Sequence, residues 1–297
     1  MDPMQSQPDF ESIKTMTVVA LFSDDWLMER LVFKGGNAMN LVYGMYNRAS
    51  LDFDFSIEQD FAADEIEGIG ARIRNALAAV FREKELVVFD YEFEPRPAGR
   101  NPGETGFWGG YVASFKLAML EDYKKHQGNI AALRKKAVRI DKGGRQNIII
   151  EISKYEYCEK EEKELDDYII YVYPPVLLAI EKLRAICQQT DDFSRIVNKP
   201  GLKGRARDFF DIYYLCKTFD IDLASDDNLA RLRNVFAAKR VPLETLGQIG
   251  NYRDIHEATF PAVVDTVSGR MQTHPFDFYY KFIIAVATLL KERLGVI

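Results

Sequence analysis

The hydrophobic pattern of the chain changes at Pro174-Pro175, and this change limits the possible folds more than any other feature. Before the two prolines, short alternating or continuously apolar runs predict strands, with helical segments between them. After them, apolar residues recur at helical spacing and no run predicts a strand. Pro175 itself can begin a helix, because proline fits the first helical turn. We therefore expect an α+β domain over residues 1–173 and an all-α domain over residues 174–297.

Further elements of the first domain are predicted from periodicity. Helices are expected over residues 10–30 and 64–84, strands over 86–93, 111–117, 148–152 and 168–173, and a loop over 95–110. The mostly acidic stretch from Glu156 to Asp167 gives no strand prediction.

The region around Gly35-Gly36 has the pattern of a strand, a turn and a helix. Leu31-Val32-Phe33 predicts the strand, and the residues from Ala38 to Tyr46 carry apolar side chains at helical spacing. Asn37 is expected to cap that helix, because its side chain can accept a hydrogen bond from the first turn. Glycines at this point let backbone N–H groups approach a phosphate, although such a pair also serves as a plain turn.

The run Leu51-Asp52-Phe53-Asp54-Phe55 alternates apolar and acidic side chains. A period of two places the phenylalanines on one face of a strand and both aspartates on the other. A divalent cation stabilises two like charges at this spacing, and Mg²⁺ binds one or two carboxylates together with substrate phosphate oxygens. An exposed strand face has the same pattern, so the run alone leaves both interpretations open.

A third acid, Glu151, lies inside the apolar run Ile148-Ile149-Ile150-Glu151-Ile152. An unpaired carboxylate in such a strand is costly to bury, which indicates that Glu151 has a partner. Together with Asp52 and Asp54, it is the best candidate to complete a metal site.

The composition favours a cytoplasmic protein with reduced thiols. The chain has three cysteines without metal-ligand spacing, and its N-terminus lacks the basic-then-apolar order of a signal peptide. No apolar run is long enough to span a bilayer, so we expect no membrane association. The net charge of −6 and a pI of about 5.3 argue against a non-specific nucleic-acid binder.

One segment is basic in spite of the acidic total. The residues from Glu121 to Asn147 include eight Lys or Arg against three acids. Such a run can form a local basic patch for nucleic acid, or it can be the solvated faces of helices and loops. The pattern does not decide between them.

Four segments, in this order, resemble the motifs of the AbiEii/AbiGii-like nucleotidyltransferases. They are Phe33-Lys34-Gly35-Gly36-Asn37-Ala38, Arg48-Ala49-Ser50-Leu51-Asp52-Phe53-Asp54-Phe55, Leu178-Ala179-Ile180-Glu181-Lys182-Leu183-Arg184-Ala185 and Arg205-Ala206-Arg207-Asp208-Phe209-Phe210-Asp211-Ile212. This family comprises toxins of type IV toxin–antitoxin and abortive-infection systems, within the DNA polymerase β-like superfamily. The resemblance implies a mixed-sheet nucleotidyltransferase domain followed by a helical domain, with a cleft between them.

Two positions depart from the family pattern. Asn37 stands where the superfamily usually has Ser or Thr, and Arg207 replaces the usual lysine of the last motif. An amide can still donate to a phosphate oxygen. Arginine keeps the charge at position 207 but changes its geometry.

The resemblance also implies roles for individual residues. Asp52, Asp54 and Glu151 would hold Mg²⁺, and Glu151 would also orient or deprotonate the attacking hydroxyl. Lys182 would contact the phosphates, and Asp211 would complete that side by fixing Lys182. The remaining nucleotide-binding candidates are Gly35, Gly36, Asn37, Arg48, Ser50 and Asp208.

The residues themselves leave simpler interpretations open for the second half of the site. Lys182 lies beside the apolar stripe of its helix, as a boundary lysine with a buried stem would. Asp208 and Asp211 share a helix face with Arg207, which is typical of a surface ion-pair cluster. Arg48 can equally pair with a nearby acid.

The predicted activity is transfer of NMP from an NTP to an acceptor hydroxyl, with pyrophosphate leaving. The resemblance implies an RNA acceptor, in particular a tRNA 3′ end, and a separately encoded antitoxin. Transfer to a small molecule or a protein is the alternative that fits the acidic pI better. A third possibility is a binding protein that keeps the fold without the chemistry, which the intact acids argue against and Asn37 weakly favours.

Overall fold

The computed structural model describes residues 9–45, 52–97, 106–126, 128–141, 143–197, 201–267 and 273–296. The chain divides into two compact units. One comprises Met1–Tyr43 with Ser50–Val172, and the other Gly44–Ala49 with Tyr173–Ile297.

Within the described residues, the first unit contains a seven-stranded mixed sheet. Its strands are β1 (Val32–Lys34), β2 (Asp52–Ser56), β3 (Leu86–Arg96), β4 (Gly110–Met119), β5 (Ile148–Ser153), β6 (Glu161–Leu165) and β7 (Tyr168–Val172). Their order is β3-β4-β5-β2-β1-β7-β6. The pairs β2–β5 and β1–β7 are parallel and the other four are antiparallel, which confirms the predicted α+β class.

Alternation along β2 and β5 sets which residues form the core. Phe53 and Phe55 are fully buried, and Phe53 lies in register with the buried Ile150 of the neighbouring strand. Because successive side chains point to opposite faces, the acidic residues of both strands lie on the other side of the sheet. The hydrophobic effect therefore fixes the direction of the acids by fixing that of their neighbours.

Six described helices accompany this sheet: α1 (Phe10–Phe22), α2 (Asp25–Arg30), α3 (Gly35–Leu41), α4 (Ile66–Arg82), α5 (Leu120–Lys125) and α6 (Ile130–Lys136). The single helix predicted over residues 10–30 is wrong, since it breaks at Asp24. The Asp24 carboxylate accepts from Leu27 N at 3.0 Å and so caps a second helix. The helix predicted over 64–84 is confirmed as α4.

Two predictions at the ends of the sheet need correction. β3 continues to Arg96, into the segment predicted as a loop, because it pairs with β4 as far as Gly110. β6 was not predicted, since its sequence Glu-Glu-Lys-Glu-Leu is charged. A charged edge strand is physically reasonable, because charge on an unpaired edge prevents association with other chains.

The second unit is helical, and no described residue after Pro174 lies in a strand. Its helices are α7 (Pro175–Cys187), α8 (Asp191–Val197), α9 (Ala206–Thr218), α10 (Asp226–Ala238), a 3-10 helix (Leu243–Tyr252), α11 (Arg253–Glu257), α12 (Pro261–Thr266) and α13 (Phe276–Leu294). The helix predicted to begin at Pro175 is confirmed as α7. It packs against α9, and both helices bury apolar residues, among them Leu183 of α7 and Ile212 of α9. No helix in the described part of the chain has the length and apolar character needed to cross a membrane.

Candidate active site

Three acidic side chains project from one face of two adjacent parallel strands. Asp54 of β2 lies in register with Glu151 of β5, and Asp52 precedes Asp54 by two residues on the same strand. Register partners on neighbouring strands point to the same side of a sheet, as do residues two apart on one strand. The Asp52 side chain is 49% exposed, so this face is open to small molecules.

The turn after β1 brings a glycine against one of these acids. Lys34 pairs with Asp54 across the antiparallel strands β1 and β2, and Gly35 follows with a φ of +75°. A Cβ at Gly35 would lie 2.1 Å from Asp54 Oδ2, a distance at which no side chain fits. Both the backbone conformation and the space therefore require glycine here. Gly36 lies in the first turn of α3 and is half-buried.

Asn37 does not occupy the position expected from the sequence. Helix α3 begins at Gly35 with Lys34 at its N-cap, so Asn37 lies inside the helix and is not its cap. Its side chain is fully buried and donates from Nδ2 to the carbonyl oxygen of Asp52 at 2.9 Å. The helix starts earlier because the positive φ of Gly35 lets the chain turn directly after the strand. Asn37 therefore holds the backbone of β2 at Asp52.

Two arginines pair with the acids of this face. Arg145 Nη2 lies 2.8 Å from Asp52 Oδ1, and Arg96 Nη1 lies 3.6 Å from Glu151 Oε1. Neither was predicted as a site residue. Arg145 lies three residues before β5 and belongs to the basic segment. Its place in that segment is the one sequence signal that could have indicated it as a site residue.

The acids suit a hard cation by their chemistry, since carboxylate oxygens are the ligands that Mg²⁺ prefers. The strand register also directs all three to one face. Among the residues that the structure describes, however, no three Asp, Glu, His or Cys side chains are gathered closely enough to hold a metal ion. Asp52 and Glu151 are directed to arginines instead.

The second unit contains a buried ionic cluster at the predicted Lys182. Its ammonium nitrogen lies 2.6 Å from Asp211 Oδ2 and 3.3 Å from Asp208 Oδ1. The Asp211 side chain is only 1% exposed, so the interpretation of these acids as a surface cluster is wrong. Because the cluster is buried, removing one partner would leave an uncompensated charge and destabilise the fold.

A buried histidine adjoins the same cluster and was not predicted. His256 Nδ1 accepts from Arg205 N at 3.1 Å, at the N-terminus of α9. Burial lowers the pKa of His256 to about 4, with Asp208 opposing and Arg205 reinforcing the shift. The imidazole is therefore neutral at pH 7. The remaining candidates, Arg48 and Ser50, lie outside the described residues.

Comparison with known proteins identifies a related family. The family model described as nucleotidyl transferase AbiEii toxin, Type IV TA system, matches residues 18–279 of the 297. The match includes the acids of β2 and β5 and the Lys182 cluster. No curated protein matches the chain.

Two solved structures are also similar to the chain at low sequence identity. A candidate nucleotidyltransferase from H. pylori is 16% identical, covering 96% of this chain and 95% of that one, with a TM-score of 0.48. MenT4, a nucleotidyltransferase toxin from Mycobacterium tuberculosis H37Rv, is 13% identical, covering 94% of this chain and 82% of that one, with a TM-score of 0.47.

Proposed function

Because this chain belongs to the family of AbiEii nucleotidyl transferase toxins of type IV toxin–antitoxin systems, we propose that it transfers NMP from an NTP to a hydroxyl of RNA. The chain is a nucleotidyltransferase by family, and membership implies a nucleotide substrate and a separate antitoxin. The RNA acceptor, with a tRNA 3′ end as its specific form, and the use of Mg²⁺ are the proposed parts.

One observation carries the proposal: Asp54 and Glu151 are in register on parallel strands, with Asp52 on the same face. These three carboxylates would hold the metal ions once Asp52 and Glu151 exchange their arginine partners for the cations. A bound divalent cation stabilises the entering and leaving oxygens of a displacement at phosphorus. Glu151 is suited to orient or accept a proton from the attacking hydroxyl, since it lies beside Asp54 at a half-exposed position.

The remaining roles concern the phosphates. Helix α3 begins with Gly35 and Gly36, which have no side chains, so a triphosphate can approach the backbone closely there. Arg48 and Ser50 are proposed as further phosphate contacts. For Lys182 we propose neutralisation of the departing pyrophosphate, with Asp211 and Asp208 as the groups that position its ammonium. Asn37 is proposed as a support for β2 rather than as a phosphate ligand.

The basic segment supports an RNA acceptor. Its helix α6 carries exposed Lys135 and Lys136, while Arg134 Nη2 lies 2.5 Å from Asp90 Oδ1 of β3. The exposed lysines are thus presented from a helix fixed to the sheet and are available to the RNA backbone.

The net charge of −6 favours a second candidate, in which the acceptor is a small molecule or a protein. Such acceptors do not need the electrostatic attraction that nucleic acid does. The two candidates differ in one measurable respect, which is whether transfer requires RNA.

The test is incubation of the full chain with each labelled NTP and Mg²⁺, with and without total tRNA. We expect label in the tRNA fraction, and Asp52→Ala should abolish it. Asp254→Ala is the matched control, because this side chain is 98% exposed and belongs to the second unit. Transfer without RNA would favour the second candidate. No transfer with any NTP, and Asp52→Ala indistinguishable from the parent, would contradict both.

A further inference from the structure

The guanidinium of Arg145 is fixed on the acidic face at two points. Nη2 donates to Asp52 Oδ1 at 2.8 Å, and Nε donates to the carbonyl oxygen of Asn147 at 3.1 Å. The side chain is 29% exposed, so it is partly accessible from solvent. A planar group held by two different N–H donors has a defined orientation, unlike a mobile surface arginine.

The loop before β5 holds the backbone of Arg145 as well. Arg145 N donates to Asp141 Oδ1 at 2.8 Å, and the carbonyl of Arg145 accepts from Ile140 N at 2.8 Å. Ile140 is itself buried in the core of the first unit. The position of the guanidinium at Asp52 is therefore built into the fold.

Of the two arginines that pair with the acids of this face, Arg145 makes the shorter ion pair. Arg96 is 60% exposed and lies 3.6 Å from Glu151, and such exposed pairs contribute little. The shorter, less exposed pair at Asp52 is the one that a cation must compete with.

We infer that Arg145 is a triphosphate-binding residue of this site, and that it serves as the counter-ion of Asp52 until a metal ion arrives with the nucleotide. This inference rests on the proposed function. A metal ion alone must displace the guanidinium from Asp52, whereas an NTP offers it a new partner. Arginine suits that exchange, because its fork of donors matches a phosphate as well as a carboxylate.

The consequence is coupling between metal and nucleotide. Each should bind more tightly in the presence of the other, and by the same factor, because binding free energies are linked reciprocally. An arginine that only anchors its loop would affect stability and leave this coupling unchanged.

The experiment compares wild type with Arg145→Gln and Arg145→Lys. The matched control is Arg82→Gln, which removes the same charge from an exposed position of the first unit outside the basic segment. Mn²⁺ binding to the protein without nucleotide is measured by titration calorimetry, and KM for the NTP is measured by label transfer. Thermal unfolding verifies that each variant is folded, and Asp52→Asn verifies that the Mn²⁺ measured is bound at this face.

Removal of the competing guanidinium should strengthen Mn²⁺ binding and weaken NTP binding. For Arg145→Gln we expect Mn²⁺ affinity about fivefold higher and KM about tenfold higher, within the usual range of coupling between sites. Arg145→Lys keeps the charge but not the fork, so its KM should rise while its Mn²⁺ affinity stays near wild type. If Arg145→Gln does not fold, the deciding measurement is the KM of Arg145→Lys for the NTP. An increased KM supports the inference, and a wild-type KM overturns it.

Wild-type Mn²⁺ affinity or wild-type KM in Arg145→Gln would overturn the inference. If Arg145→Gln gives that result while the wild-type protein still transfers label, the transferase proposal remains intact. Wild-type Mn²⁺ binding that Asp52→Asn does not alter would overturn both, since Asp52 would then hold no metal. The two failures are therefore distinguishable.

Discussion

Gly35 presents its bare Cα directly to the carboxylate of Asp54: a Cβ placed there would lie 2.1 Å from Oδ2 and 2.8 Å from Cγ. The contact joins the turn after β1 to the acidic face of β2. It explains why a glycine is required at this point by two independent criteria, its positive φ and the space that Asp54 occupies. The first glycine of the motif thus sets the position of a proposed metal ligand.

Replacing Gly35 with alanine should displace the Asp54 carboxylate. We expect nucleotidyl transfer to fall at least about 100-fold, the order of loss produced by a misplacement of about 1 Å. The strain of an alanine at positive φ should lower the free energy of unfolding by only about 1–2 kcal/mol. Gly128→Ala is the matched control, because Gly128 has a φ of +86° and a Cβ added to it would meet nothing within 4 Å. Equal activity of the two variants would contradict the role given to this contact.

Asn37 provides a second test, since its donor and not its acceptor is used. Asn37→Asp keeps the shape but loses the N–H that reaches the Asp52 carbonyl, and it buries a charge. We expect a loss of about 2–4 kcal/mol in the free energy of unfolding, measured by urea denaturation, together with reduced transfer. Asn129→Asp is the control, because Asn129 Oδ1 only accepts, from Ala132 N at 3.0 Å, and aspartate accepts equally well. A stable Asn37→Asp would show that the bond to β2 is dispensable.

Some of this site follows from the sequence and some depends on tertiary contacts. The alternation of Asp52 and Asp54 predicts their common face, and the apolar strand around Glu151 indicates a partnered acid. The pairing of β2 with β5 joins segments almost 100 residues apart, and local periodicity carries no information about it. The cost of burying Glu151 in its apolar run made it the candidate third acid, and the family resemblance implied the same set of three.

The predictions that were wrong or missing also have their cause in tertiary contacts. The sequence predicts Asn37 as a helix cap. In the structure its side chain is buried and donates to the carbonyl oxygen of Asp52 on β2, a tertiary contact. β6 has the composition of a loop, and it is a strand because β7 offers it a free edge. In the sequence, Arg145 is only one member of a basic segment. The fold of its loop places it against Asp52.

The Lys182–Asp211 pair should be strongly coupled because it is buried. Asp211→Ala should lower the free energy of unfolding by about 3–5 kcal/mol, since it leaves the ammonium undercompensated. Lys182→Met should also be costly, and the double variant should be about 1–3 kcal/mol more stable than the sum of the two predicts. Glu257→Ala at the exposed Arg253 pair, also 2.6 Å long, should cost less than about 1 kcal/mol. Additive effects of the two buried substitutions, measured in urea, would exclude the coupling.

His256 should make the stability of the chain fall in mild acid. Its pKa is about 4 in the folded chain, because burial disfavours the imidazolium, and about 6.5 in the unfolded chain. Between these values the unfolded state binds more protons, so the free energy of unfolding decreases as the pH falls, by at most about 1.4 kcal/mol per pH unit. His256→Gln retains an acceptor for Arg205 N but does not titrate, so it should lose this part of the slope. Urea unfolding between pH 4.5 and 7.5 measures the difference, and identical slopes for the two proteins would mean that His256 is not kept neutral by the fold.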